Sequence, residues 1–203
     1  MTTHHPGYSD RISHALAFAA KHAARTRRPR AMSYLGTPAN VAVVLARYGC
    51  DEVTIVSGVL AVLVNDADPG HEEELNRRIE AKFGDLVTKV VRQVVQPRFD
   101  GWGKVRRWEA YRMDFLANLA LAEPRALDVC AGTEIHECGS LLTDLRRLGV
   151  EYLSASAPAG ADEVLWWYRQ LVGTLERHPV GPRPGMLAEL RDLTSRLAAE
   201  LEA

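Results

Sequence analysis

Val53-Thr-Ile-Val-Ser-Gly-Val-Leu-Ala-Val-Leu-Val64 is apolar almost all round, and the fold turns on how it is read. A run of this kind suits either a strand buried on both faces or a central helix. Two features decide for the helix. The run is longer than the 4 to 8 residues usual for a buried strand, and the segments on both sides repeat their apolar residues with helical period. Gly49-Cys50-Asp51 precedes it with a stop for one helix and an N-cap for the next.

Upstream, Ser9-Asp10 caps a helix carrying Ile12, Ala15, Leu16 and Ala19, followed by a basic exit from Lys21 to Arg30 with Pro29 as its stop. Thr37-Pro38 reads as an N-cap and N1 pair opening a helix through Val41, Val44, Leu45 and Tyr48. Downstream, Asn65 to Gly70 is a loop. A polar helix follows with Leu75, Ile79 and Phe83 facing inward, and Gly84-Asp85 leads into Leu86 to Val95. Pro97 to Gly103 is irregular, and a helix is expected from about Lys104 to Ala122. Glu123-Pro124 opens the next, through Leu127, Cys130, Ile135 and Leu142. Ser154 to Gly160 is linker-like. Helices over Ala161 to Arg177 and through Leu187, Leu190, Leu197 and Leu201 close the chain. The expectation is an all-α bundle of eight or nine helices in one domain over 1–203, with 1–8 as a flexible tail.

With 203 residues the chain can bury a substantial core. Apolar residues at 47% and charged residues at 25% are ordinary globular values, and the net charge of −1 creates no field for nucleic acid or an anionic membrane. Three cysteines without a CxxC pair suit a reducing compartment. No stretch is long and apolar enough to span a bilayer, and the N-terminus lacks a signal-peptide core. The expected location is the cytoplasm. No G-x-G-x-x-G, P-loop or nucleophile elbow occurs, so no cofactor is expected.

Three motifs stand in order: Tyr34-Leu-Gly-Thr37-Pro38, Leu60-Ala61-Val62-Leu-Val-Asn65-Asp66 and Ala131-Gly-Thr133-Glu134-Ile-His136. They resemble Tyr-x-x-His-Pro, Leu-His-Asp-x-x-Glu-Asp and Ala-x-Asp-x-x-His of the HD-domain superfamily. The likeness is to the hydrolase domain of the SpoT/RelA family, especially its small stand-alone alarmone hydrolases. Glu72-Glu-Glu-Leu to Phe83-Gly-Asp-Leu-Val87, Trp102 to Tyr111, Leu141 to Arg147 and Trp166-Trp-Tyr-Arg169 extend it over roughly residues 10 to 200. In active relatives two His and two Asp hold a divalent ion, usually manganese, and a Glu-Asp pair assists attack of water on the 3′-pyrophosphate of ppGpp. Here those four ligand positions are Thr37, Ala61, Val62 and Thr133, none of which supplies a metal ligand. Asn65 replaces the Glu while Asp66 remains. Glu134 takes a Lys position, Glu137 an Asn position and Gly139 an Arg position. The resemblance therefore implies a degenerate member, a pseudo-phosphohydrolase with no metal.

The favoured expectation is a protein that acts by binding a nucleotide-like or other small ligand, or a protein partner, a second copy included. Arg27 and Arg28 match the family's nucleotide-facing arginines, Lys104, Arg106 and Arg107 its phosphate side, and Tyr34 its pocket wall. The competing reading of both basic groups is a solvated polar face. The alternative is a metal-independent enzyme in the former cavity, with Asp66, His136 and Glu137 as acid–base groups. Residual (p)ppGpp hydrolysis is the third reading. Cys130, Glu134 and Cys138 lie at i, i+4, i+8 with His136 nearby, which suits zinc or, as preferred here, buried helix packing. His71 with Asp66 and Asp68 reads as a loop capping the next helix. Trp166-Trp167-Tyr168 reads either as an exposed aromatic interface or, as preferred, with at least one Trp and Tyr168 in the core; Met113 and Phe115 read as core, and Gly132 as relief of crowding near the former metal position.

Overall fold

The computed structural model describes residues 8–22, 35–149 and 160–202, and all structural statements concern these. They contain nine helices: α1 Asp10–His22, α2 Gly36–Arg47, α3 Glu52–Asn65, α4 Glu72–Phe83, α5 Asp85–Val94, α6 Trp108–Leu119, α7 Pro124–Leu148, α8 Ala161–Arg177 and α9 Pro184–Leu201. The bundle is all-α, its only extended pairing a single bridge between Phe99 and Val105. No described helix is long and apolar enough to cross a membrane.

The Val53–Val64 run is helical and central. Every residue from Thr54 to Val64 is buried, as follows from a helix without a polar face. It packs against α1, α2, α4, α5 and α7, while α9 closes over α7 and α8, and α6 lies on α8. Asp51 starts α3 as expected, its carboxylate accepting from Thr54 N at 2.8 Å. Ser9 does the same for α1, its Oγ accepting from Ile12 N at 3.2 Å. Gly84, at φ +91°, is the single residue that turns α4 into α5, a conformation most side chains resist.

Close helix approach is achieved by removing side chains. A Cβ on Gly132 of α7 would lie 2.7 Å from Leu45 Cδ2 and 3.2 Å from Met186 Cε, and a Cβ on Gly58 of α3 would strike Leu45 Cδ1. Leu45 of α2 is thus seated between two glycine notches, fully buried. The role expected of Gly132, relief of a former metal position, is corrected: the space belongs to Leu45 and Met186. At the other side of α7, buried Asp128 accepts from Arg183 N at 2.8 Å and from Arg183 Nε at 3.2 Å, tying α7 to the start of α9.

Four local expectations differ. Helix α2 begins at Gly36, with Leu35 at its N-cap and no side-chain cap. Thr37 is therefore inside the first turn, and Pro38 is tolerated there because the first N–H groups have no intrahelical acceptor. Helix α6 begins at Trp108 rather than Lys104. Residues 98–106 fold back instead: Asp100 Oδ1 accepts from Trp102 N at 3.0 Å and Lys104 N at 2.9 Å, and Arg106 N donates to Arg98 O at 2.9 Å. These bonds commit the backbone that a longer helix would use. Met113 is 51% exposed rather than core, while Phe115, Trp167 and Tyr168 are buried. His71 sits at the N-cap of α4 without a side-chain cap, and Glu72 accepts from Gly70 N instead.

Candidate active site

The C-terminal end of α3 carries Ala61 and Val62 into the core, 2% and 6% exposed. Thr133 faces the same region from α7, and half-buried Thr37 lies on α2. Hydrocarbon and two neutral hydroxyls do not form a donor set for a divalent ion, which needs carboxylate, imidazole or thiolate ligands. These residues do not fit the metal that the resemblance implies. Among the described residues no group of three or more His, Cys, Asp or Glu side chains is arranged to hold a metal ion.

A cavity of about 110 Å³ lies beside them, lined by Val62, Asn65, Asp66, Gln96, Arg98, Arg112, Thr133, Glu134, Glu137 and Tyr168. Asp66 ends α3 and is 4% exposed. Asn65, where the resemblance sets a catalytic Glu, is a structural clamp: its Nδ2 donates to Val94 O at 3.1 Å and its Oδ1 accepts from Gln96 N at 2.9 Å. A carboxylate could accept but not donate there. Glu134 is buried. Trp167 Nε1 donates to its Oε2 at 3.3 Å, and Arg112 Nη1 stands 3.9 Å from its Oε1. The Arg112 guanidinium lies 3.9 Å from the centroid of the Trp167 ring, a cation–π contact. Burial pushes the Glu134 carboxyl above the usual carboxylate range and Glu137 adds to this, while Arg112, Trp167 and Arg98 pull the other way.

A wider groove of about 620 Å³ runs alongside, from Pro69 to Gly103, sharing Gln96 and Arg98 with the cavity. Trp102, 93% exposed, stands at its rim on the 98–106 turn.

Residues 15–114 match the family model of the HD domain. The likeness to the HD domain thus lies in about half of the chain. Over 96 residues it is 31% identical to a guanosine-3′,5′-bis(diphosphate) 3′-pyrophosphohydrolase of Aquifex aeolicus (strain VF5), an alignment covering 47% of this chain and 13% of that relative. The chain thus spans only a small part of that curated relative's length. Two solved structures share the fold of this chain. One is lmo0812 from Listeria monocytogenes EGD-e, with TM-score 0.65 and 21% identity over 79% of this chain and 97% of that one. The other is a metazoan ortholog of SpoT that hydrolyzes ppGpp and plays a role in starvation responses, with TM-score 0.67 and 20% identity over 95% of this chain and 98% of that one.

Within this fold the sequence-selected residues are distributed unevenly. Asp66 and Glu137 line one cavity, and half-buried His136 is not part of its lining. Lys104 and Arg107 are exposed, the latter 4.0 Å from Glu109. Arg106 donates to Pro97 O at 3.1 Å and pairs with Asp114. None of these three lines the cavity. Arg27, Arg28 and Tyr34 lie outside the described residues. Cys130 and Cys138 are buried free thiols, and burial pushes the Cys138 thiol up to about 12.

The cavity's own cations and its amide, Arg98, Arg112 and Gln96, escaped the sequence reading. Arg112 carried a signal: it stands within the inward stripe Trp108, Tyr111, Phe115, Leu116 and Leu119 of α6, where a charge is out of place. Gln96 and Arg98 carried none, since Gln96 is placed by the distant Asn65 and Arg98 by the bonds of an irregular turn.

Proposed function

We propose that this chain acts by binding a small ligand and does not run metal-dependent phosphohydrolysis. The observation that carries the reading is the Ala61-Val62 pair, hydrocarbon packed into the core where the resemblance sets the His-Asp dyad. Three further features support it: the hydroxyls of Thr37 and Thr133, the Asn65 clamp, and Glu134 in place of a basic residue beside the substrate. Loss of the ion removes the source of a nucleophilic hydroxide at neutral pH. What survives is a half-open polar cavity of about 110 Å³, smaller than the roughly 300 Å³ at which pockets for drug-sized molecules begin. A nucleotide-like ligand enters it by one end only, the remainder lying in the adjoining groove.

Glu134 favours a second reading, a metal-independent enzyme. A buried carboxyl raised by desolvation, facing Asp66 and Glu137, is the environment in which one group holds a proton and another removes one.

The activities of the Aquifex and metazoan relatives make ppGpp the substrate to test. The expected result is no release of pyrophosphate by the purified chain with manganese and ppGpp. Manganese-dependent turnover by the unaltered chain overturns the binding reading. Metal-free turnover of any substrate that Glu134→Gln abolishes decides for the second.

A further inference from the structure

The cavity contains hydrogen-bonding capacity that the protein does not use. Gln96 Oε1, Arg112 Nε and Arg112 Nη1 are buried and have no hydrogen-bond partner within the protein. Buried polar groups are otherwise almost always hydrogen-bonded, so an acceptor and two donors on the walls of one small space specify the chemistry of an occupant. It must accept from a guanidinium and donate to an amide carbonyl.

Charge narrows the class. The lining carries the carboxyl groups of Asp66, Glu134 and Glu137 against the guanidinium groups of Arg98 and Arg112. An inorganic phosphate dianion would face all three carboxyls and leave the Gln96 carbonyl without a donor. A simple ammonium would satisfy Gln96 and leave the Arg112 N–H groups unmet. A molecule with both charges answers both walls. Volume sets the last limit: about 110 Å³ is the space of about four waters, enough for about five or six heavy atoms.

We propose that the cavity binds a small zwitterion, an amino acid of the size of glycine, alanine or β-alanine. Its carboxylate is held by Arg112, and its ammonium by Gln96 Oε1 with the carboxylates of Asp66 and Glu137. Trp167, stacked on Arg112, fixes the guanidinium plane. The inference rests on the binding reading above, because a divalent cation in this space would repel the ammonium.

The test is isothermal titration calorimetry of the full chain with glycine, L-alanine and β-alanine, against acetate, methylammonium and inorganic phosphate. At least one amino acid is expected to saturate a single site, at least tenfold more tightly than acetate or methylammonium. Gln96→Leu and Arg112→Met are each expected to weaken it at least tenfold. Arg112→Met removes a stacked side chain and is judged only where circular dichroism shows the native fold. Gln96→Leu stands alone if it does not. The proposal is overturned if no amino acid saturates up to about 10 mM, if phosphate binds more tightly, or if folded Gln96→Leu binds unchanged. Manganese-dependent hydrolysis of ppGpp would overturn the binding reading whatever the calorimetry shows. An inert protein that ignores amino acids overturns only this inference.

Discussion

Leu45 shows how single residues set the spacing of this bundle. Its isobutyl group fills the space that Cβ atoms on Gly58 and Gly132 would occupy. Ala is a better helix former than Gly by about 1 kcal/mol, so Gly132→Ala would stabilise an isolated helix. Here the new methyl meets Leu45 at 2.7 Å, and overpacking typically costs about 1 to 3 kcal/mol. Gly132→Ala is therefore expected to lower the urea midpoint, and to be neutral or stabilising in a Leu45→Ala background. The two effects are coupled because the atoms touch. The sequence reveals that Gly132 is unusual inside a helix but not what occupies its notch. Arg112 is a similar case: its place on an apolar stripe is legible, whereas its contact with Trp167 depends on how α6 meets α8.

Helix α3 decides the architecture, and its start is concentrated in Asp51. This carboxylate accepts from Thr54 N and from Thr54 Oγ1 at 2.6 Å, and from Arg125 Nε and Nη2 at 2.9 and 2.7 Å. Burial alone would raise its pKa, but the bonds from Arg125 and Thr54 prevail and hold it down at about 2. Asp51→Ala is expected to cost about 1 to 2 kcal/mol at neutral pH, the range of a lost N-cap. A carboxyl depressed in the folded state contributes stability above its unfolded value, near 3.8, and loses it as pH falls through the folded value. The gap between the two proteins should thus be full above about pH 4 and close toward about pH 2, as followed by chemical denaturation. This cap, like the limits of α8, is legible because the signals are local: Asp, then Thr three residues on, then an apolar run. The 98–106 turn is not, because Asp100 overrides a plausible helix start through bonds to Trp102 and Lys104.

At the scale of the molecule, the all-α bundle is readable from periodicity, and the candidate site only in part. Asp66, Glu137 and the substituted positions stand out in the sequence, whereas Gln96 and Arg98 reach the cavity by a turn that sequence reasoning leaves irregular. The degenerate reading has a constructive test. Thr37→His, Ala61→His, Val62→Asp and Thr133→Asp together should create manganese binding, raising stability by about 2.7 kcal/mol at a hundredfold excess of metal over Kd. Thermal denaturation with and without manganese should show the shift in the fourfold variant and none in the unaltered chain. A shift in the unaltered chain, or none in a folded variant, would mean that these are not the metal positions. The seat of Leu45 also bears on how such a chain can diverge. Gly58, Gly132 and Leu45 lie on three different helices, yet Leu45 fixes the size allowed at both glycines. A larger residue at either glycine is therefore expected to be tolerated best where Leu45 has already been shortened, so substitutions in this corner of the fold act in pairs rather than singly.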